Sequence, residues 1–295
     1  MQSTGIFFAL LTVISWSICI FPFTQAARRL GSNSLNHFRL LLAAVLLAVC
    51  NLLVNKKDFL DVFSFSLSHE WMWLGFSGIV GLTIGDYFAF KMYAILDPRL
   101  GSVLTTLSPA ATLIAGYVLL GESINLVGIS GMILTMIGVM SISLGRVERD
   151  KIPDHGHGSI FAGIIFGILS AVCQGVGLVL SKKGMLNGSV TISPLPAAFI
   201  RITTAFLILI IFTIIRGNLR AVLRPLLRNE ENGIRYAVLG TIFGPFLGLC
   251  LSLFTISNID VSVVQTIFSL MPVSALLISV LFFRERITRR SLLGM

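Results

Sequence analysis

Continuous apolar runs of about twenty residues alternate along the chain with short polar stretches, and the basic residues collect in those stretches. The runs do not alternate in a period of two, so each reads as a helix that is apolar on every side. Backbone amides find no water inside a bilayer, and ~20 helical residues cross its ~30 Å hydrocarbon core. The runs lie at about Gly5–Phe23, Leu35–Val54, Leu74–Leu96, Leu100–Leu120, Leu126–Leu144, Gly158–Leu180, Pro194–Ile215, Tyr236–Ile256 and Val261–Phe283. The tail Thr288–Met295 is too short to cross anything. Trp71 and Trp73 suggest an interfacial anchor ahead of the third run, and Asp97-Pro98-Arg99 a turn after it. In the basic stretch Arg216–Arg235, Arg220, Arg224 and Arg228 recur every four residues, which predicts a helix lying at the lipid surface.

Composition supports the membrane reading. Mean hydropathy is +0.93, 55% of residues are hydrophobic and 12% are charged, which excludes a soluble domain of ordinary makeup. The net charge of +9 invites a nucleic-acid partner. Its carriers sit in loops between apolar runs, a pattern that sets orientation in a membrane, and no nucleic-acid binding is expected. Cys19, Cys50, Cys173 and Cys250 all fall within runs, without a C-x-x-C pair, and read as small hydrophobes. Met1–Thr4 lacks a basic side chain ahead of the first run, so that run reads as retained rather than cleaved. No zinc-ligand spacing, phosphate-cradling glycine motif or nucleophile elbow occurs, so no cofactor, metal or catalytic residue is expected. His155 and His157 lie in a polar linker and read as solvated.

One stretch is present twice. Pro109, Glu122 and Gly131 recur as Pro272, Glu285 and Gly294, each at an offset of 163 residues. Gly81 and Gly85 recur as Gly244 and Gly248 at the same offset, and Arg39 matches Arg201 at 162. Chance repetition of apolar residues is easy, but of Pro, Glu and Gly in one register it is not. The chain is therefore an internal duplication, and an odd number of spans per copy inverts one copy relative to the other. The glycine pairs, four residues apart, read chiefly as surfaces for close helix approach.

The duplicated Pro-x12-Glu segment resembles the EamA repeat of the drug/metabolite transporter superfamily. G-L-V-L-S-K-K-G-M (Gly177–Met185) and G-P-F-L-G-L-C-L-S-L (Gly244–Leu253) look like a bacterial subgroup of it. The resemblance implies an all-α membrane protein of two inverted repeats with five transmembrane helices each. The expected organisation is a first repeat at 3–145, a polar linker at 146–157 and a second repeat at 158–295, in which most of the tenth helix is missing. It also implies a multi-pass protein of the cell (inner) membrane whose partners are the lipid bilayer and a small-molecule substrate, with a homodimer left open.

Charged groups inside a span are costly and are functional candidates by default. Asp86 lies midway along the third run among glycines, where it would take up a proton or hold a cationic group. An ion pair with Lys91 or Arg39, or a position facing a wet cleft, is the other reading, and both stay open. The matching position in the second copy is Leu249, so any role of Asp86 is asymmetric. Arg39 and Arg201 would hold an anionic substrate or pair with Asp86, although their place in the first two turns favours snorkelling to the interface. Gln174, with Ser170 one turn before it, would line a cavity or bond a neighbouring helix. Trp16 (flanked by Ser15 and Ser17), Tyr87, Tyr93 and Gln265 would line the same cavity, core packing being the commoner use of such aromatics. Glu122 and Glu285, at helix ends, read as caps or as partners of neighbouring basic groups. Pro109 and Pro272 would kink their helices and serve as hinges. Lys182 and Lys183 read as snorkelling topology signals.

Orientation carries a conflict. The side that holds the loop around Arg28, the linker and the stretch with Arg220 carries 15 basic residues, against 4 on the other. The positive-inside rule puts the N-terminus outside, and the family resemblance puts it in the cytoplasm. The expected function is secondary transport of a small metabolite or drug-like compound by alternating access, driven through Asp86 by protons or by facilitated exchange. An intramembrane enzyme acting on a lipid-linked substrate, or a non-transporting regulatory protein, are the alternatives. Amino acids, purines, sugars and amphiphilic drugs all remain open as cargo.

Overall fold

The computed structural model describes residues 2–54, 68–96, 101, 104–122, 126, 129–131, 133, 134, 137, 159–186, 192–271, 273–275, 277 and 278. These residues form α1 (Gln2–Leu30), α2 (Ser32–Val54) and α3, which runs as Ser68–Ser77, Gly78–Gly85 and Asp86–Ile95. They continue as α4 (Ser108–Leu120), α5 (Ile160–Leu186), α6 (Pro194–Ile215) and α7 (Leu219–Arg228). The last elements are α8, running as Gly233–Thr241, Ile242–Gly248 and Leu249–Ile256, and α9 (Val261–Phe268). No strand occurs among the described residues. The turn at 97–99, the linker 146–157, Pro272, Glu285, the end of the ninth run and the tail lie outside the described residues, as does most of the fifth run.

Among the described residues six helices, α1, α2, α3, α5, α6 and α8, are long and apolar enough to cross a bilayer. Their outer faces expose large apolar side chains such as Phe7, Leu53, Phe161 and Ile215. Ser17, Asn36, Arg39, Thr112 and Ser252 are buried instead. That inversion suits lipid outside and a polar interior.

Helix ends depart from the apolar runs where backbone chemistry intervenes. α1 continues to Leu30, with Arg28 and Arg29 in its last turn against the negative end of the helix dipole. Gly31, at a φ of 79°, then turns the chain into α2. The expected kink at Pro109 is corrected: a turn at residues 106–107 precedes α4, and Pro109 occupies its first turn, where a missing N–H costs nothing. The basic stretch forms α7 as expected, with Val222 buried and Arg220, Arg224 and Arg228 exposed.

The two copies exchange partners. α1 packs along α8, and α5 along α3, so the first helix of each copy lies on the third helix of the other. α2 packs on its counterpart α6, α4 lies against α5, and α9 against α1. A two-fold relation between copies requires such an exchange. Glycine makes the closest crossings: a Cβ on Gly177 would stand 3.0 Å from the Gly81 Cα, and one on Gly248 would enter the indole of Trp16. The small-residue pairs of the sequence are thus the contact surfaces between copies.

Both third helices widen at the same place. Gly78–Gly85 in α3 and Ile242–Gly248 in α8 are π-helical. The N–H of Asp86 bonds the Gly81 carbonyl, and the N–H of Leu249 bonds the Gly244 carbonyl, each five residues back. These positions are equivalent at the offset of 163. A π turn leaves carbonyls poorly served, and side chains take them up. Arg39 Nη2 donates to the Leu82 carbonyl at 2.8 Å, and the Ser15 hydroxyl donates to that of Phe243 at 2.5 Å.

Candidate functional site

The two widened segments meet a cavity of about 160 Å³ between the copies. Position 86 follows the first π segment directly and position 249 the second, and both side chains line the cavity. Trp16, Phe23, Phe90, Tyr93 and Phe268 supply rings to its wall, and Arg39, Asp86, Arg201, Gln174 and Gln265 supply the charged and amide groups. Trp16 stands edge-on to Phe268 at 4.8 Å, and Phe23 to Phe90 at 5.2 Å, so α1 is tied to both copies through aromatic contacts.

Asp86 is the centre of a buried polar network. Its Oδ2 accepts from Arg39 Nη2 at 2.5 Å, and its Oδ1 accepts a close hydrogen bond from the Gln174 side-chain amide. Asn36 Oδ1 accepts from Arg39 Nε at 3.0 Å and from Nη2 at 2.8 Å, which fixes the plane of the guanidinium. The Asn36 amide in turn donates to the Thr83 carbonyl at 3.1 Å. Phe90 closes the other side, its ring centroid 5.0 Å from Arg39 Cζ. The ion pair with Arg39, one reading of Asp86, is formed.

Arg201 occupies the corresponding place in the second copy without a corresponding acid. It is 3% exposed and lines the cavity. Its Nε and Nη1 have no hydrogen-bond partner among the described residues. The snorkelling expected of both arginines does not occur: Arg39 is 1% exposed, and the Arg201 backbone is clamped where its carbonyl faces Gly78. α3 and α6 cross closely at Gly78 beside Arg201, and Arg39 is held inward by Asn36, Leu82 and Asp86.

Seven of the eight predicted cavity residues, Trp16, Arg39, Asp86, Tyr93, Gln174, Arg201 and Gln265, stand on one wall system, as does Ser170. Tyr87 does not: it faces Phe88 at 5.9 Å, with the Lys91 ammonium 5.8 Å from its ring, because the helix after the π segment turns position 87 away. Lys182 is buried rather than snorkelling. Its ammonium lies 2.8 Å from Glu122 Oε1 and 3.6 Å from Asp260 Oδ1 and donates to the Ile259 carbonyl at 3.2 Å. Glu122 is thereby the partner of a basic group across the two copies, as one reading of it required. Lys183 lies 4.2 Å over the ring of Trp73. The sequence reading missed Asn36 and Phe90, which carry no signal beyond spacing on their helices, and the π segments, whose glycines read only as small.

The fold recurs in a solved structure described only as "Crystal structure of protein", with a TM-score of 0.71 and 15% identity over 100% of this chain and 93% of that one. No curated protein matches the chain. The model of the EamA-like transporter family matches residues 3–144 and again 161–295. A family match over both copies, on a helical membrane architecture with a polar cavity between them, leaves one assignment: the chain belongs to the EamA-like transporter family.

Proposed function

We propose that the chain is a secondary transporter that carries a small organic molecule through the central cavity by alternating access in the cell membrane. The observation that carries this reading is a cavity between the two copies whose wall holds charged groups from each of them, buried Arg39 and half-buried Asp86 from the first and buried Arg201 from the second. Withdrawing three charged groups from bulk water inside the helices stabilises nothing by itself, so they are kept for a ligand or a coupling ion. Rocking one copy against the other would open the site to each side in turn. The chain lacks a nucleotide-binding motif, so a gradient drives the cycle. Asp86 is the coupling residue in this reading: protonation removes its charge and releases Arg39, which lets α2 and α3 separate.

The test is reconstitution into liposomes with an imposed pH gradient, followed by uptake of a metabolite panel by the parent and by Asp86→Asn. The parent should respond to the gradient, and Asp86→Asn should exchange cargo without that response. A mutant that keeps the full pH dependence would remove Asp86 from coupling, and a parent that moves nothing would count against transport.

A further inference from the structure

Duplication gave the cavity two equivalent arginines, and only one of them has its acid. Arg39 and Arg201 are each the eighth residue of their helix, α2 and α6. The residue that follows the π segment faces the cavity in both copies. In the first copy it is Asp86, bonded to Arg39. In the second it is Leu249, which offers no acceptor. A guanidinium does not give up its proton when buried, so Arg201 places a positive charge in the wall. Asp86 feels that charge across the cavity, but Arg201 has no ion-pair partner of its own among the described residues. Asp86 is already engaged by Arg39 and Gln174.

We propose, building on the transporter reading, that the part of the cavity wall that carries Arg201 and Leu249 is a carboxylate subsite, and that the cargo is a small organic monocarboxylate with an apolar, ring-sized body. The cargo's carboxylate takes the place that an aspartate holds in the first copy. The charge of the cavity sets the class: two arginines and one aspartate leave a single positive charge on the described lining residues. One carboxylate neutralises it, whereas a phosphate monoester brings a charge of about −1.5 to −2 and would leave the site negative. The guanidinium fork matches a carboxylate, and the net charge decides for it over phosphate. Size and wall set the body. About 160 Å³ is close to the ~150 Å³ of an apolar cavity that takes benzene. Trp16, Phe268 and Leu249 provide the apolar surface for it.

The test uses the full chain in detergent for binding and in liposomes for counterflow. The probes are phenylacetate and hexanoate, each beside its neutral amide and the amine of matching length. The parent should bind each carboxylate at least tenfold more tightly than its amide or amine. Arg201→Gln should lose that preference, and Arg201→Lys should keep part of it. Leu249→Asp supplies the missing acid within the chain, so it should lose carboxylate binding while its unfolding temperature stays level or rises. If Arg201→Gln does not fold, the preference of the parent and the response of Leu249→Asp still decide. Equal binding of amide or amine, no binding of any probe by the parent, or carboxylate binding that survives Leu249→Asp overturns the subsite. Counterflow of neutral or cationic probes alone overturns it and leaves the transporter reading in place. Arg201-dependent carboxylate binding without counterflow upholds the subsite and removes the transporter reading.

Discussion

Asp86, Arg39, Asn36 and Gln174 form a network in which each member is held by at least one other, and such networks fail unevenly. Removing one partner of a buried ion pair costs about 3–5 kcal/mol, because the other charge is left without compensation. Arg39→Gln should therefore lower stability by about that amount, and adding Asp86→Asn should restore most of it. Thermal unfolding of the two single variants and the double variant in one detergent checks this; equal or additive losses would show that the pair is not coupled. At this scale the sequence was informative where chemistry is costly. A carboxylate in an apolar run has few reasons to exist, so Asp86 stood out, and Gln174 followed from its depth in a helix. Arg201 was legible as a charge but not as a buried one. Position along a helix does not reveal that a neighbouring helix crosses closely at that residue's backbone, as α3 does with Gly78 at Arg201.

The helices themselves were readable as apolar runs, and their ends were not, because ends depend on Gly31 and on the last-turn arginines rather than on hydropathy. The π segments were invisible for a related reason. A widened turn differs from an α turn by one residue in the bonding pattern, and the pattern of apolar residues does not record it. Glycine positions carry the consequence. A leucine at Gly177 would press on the Gly81 backbone across α5 and α3, where nothing flexible can yield. Gly177→Leu should cost about 1–3 kcal/mol or prevent assembly. Phe161→Leu, on the outward face of α5 at 72% exposure, should be close to neutral. Unfolding midpoints of the two variants compare these outcomes directly, and similar losses at both sites would contradict the packing argument.

For the molecule as a whole, the exchange of partners between copies was foreshadowed by the offset of 163, since a duplication has to bury equivalent faces. Which faces meet was not, because the sequence does not say that α1 prefers α8 to its own neighbour. Lys182 joins Glu122 after α4 to Asp260 before α9, so it binds elements of both copies at the C-terminal end of α5. Lys182→Ala should loosen that end and raise the rate of exchange at the expense of retention, read as faster leak of preloaded cargo from liposomes; an unchanged leak would show that the link does not gate. The charge count across the loops makes its own prediction. Asn218→Cys, between α6 and α7, should resist an impermeant maleimide in intact cells and react in inverted vesicles. Labelling in intact cells would reverse the orientation. The pairing of position 86 with position 249 reaches further than the present cargo. Each is a single residue that ends a π segment on the cavity wall and is charged in one copy only. A substitution at one position or the other resets the cavity between double positive and neutral while the backbone scaffold stays as it is. Descendants of such a duplication can change the electrical class of what they accept by one codon, so relatives with the same fold should sort by these two residues before they sort by overall similarity.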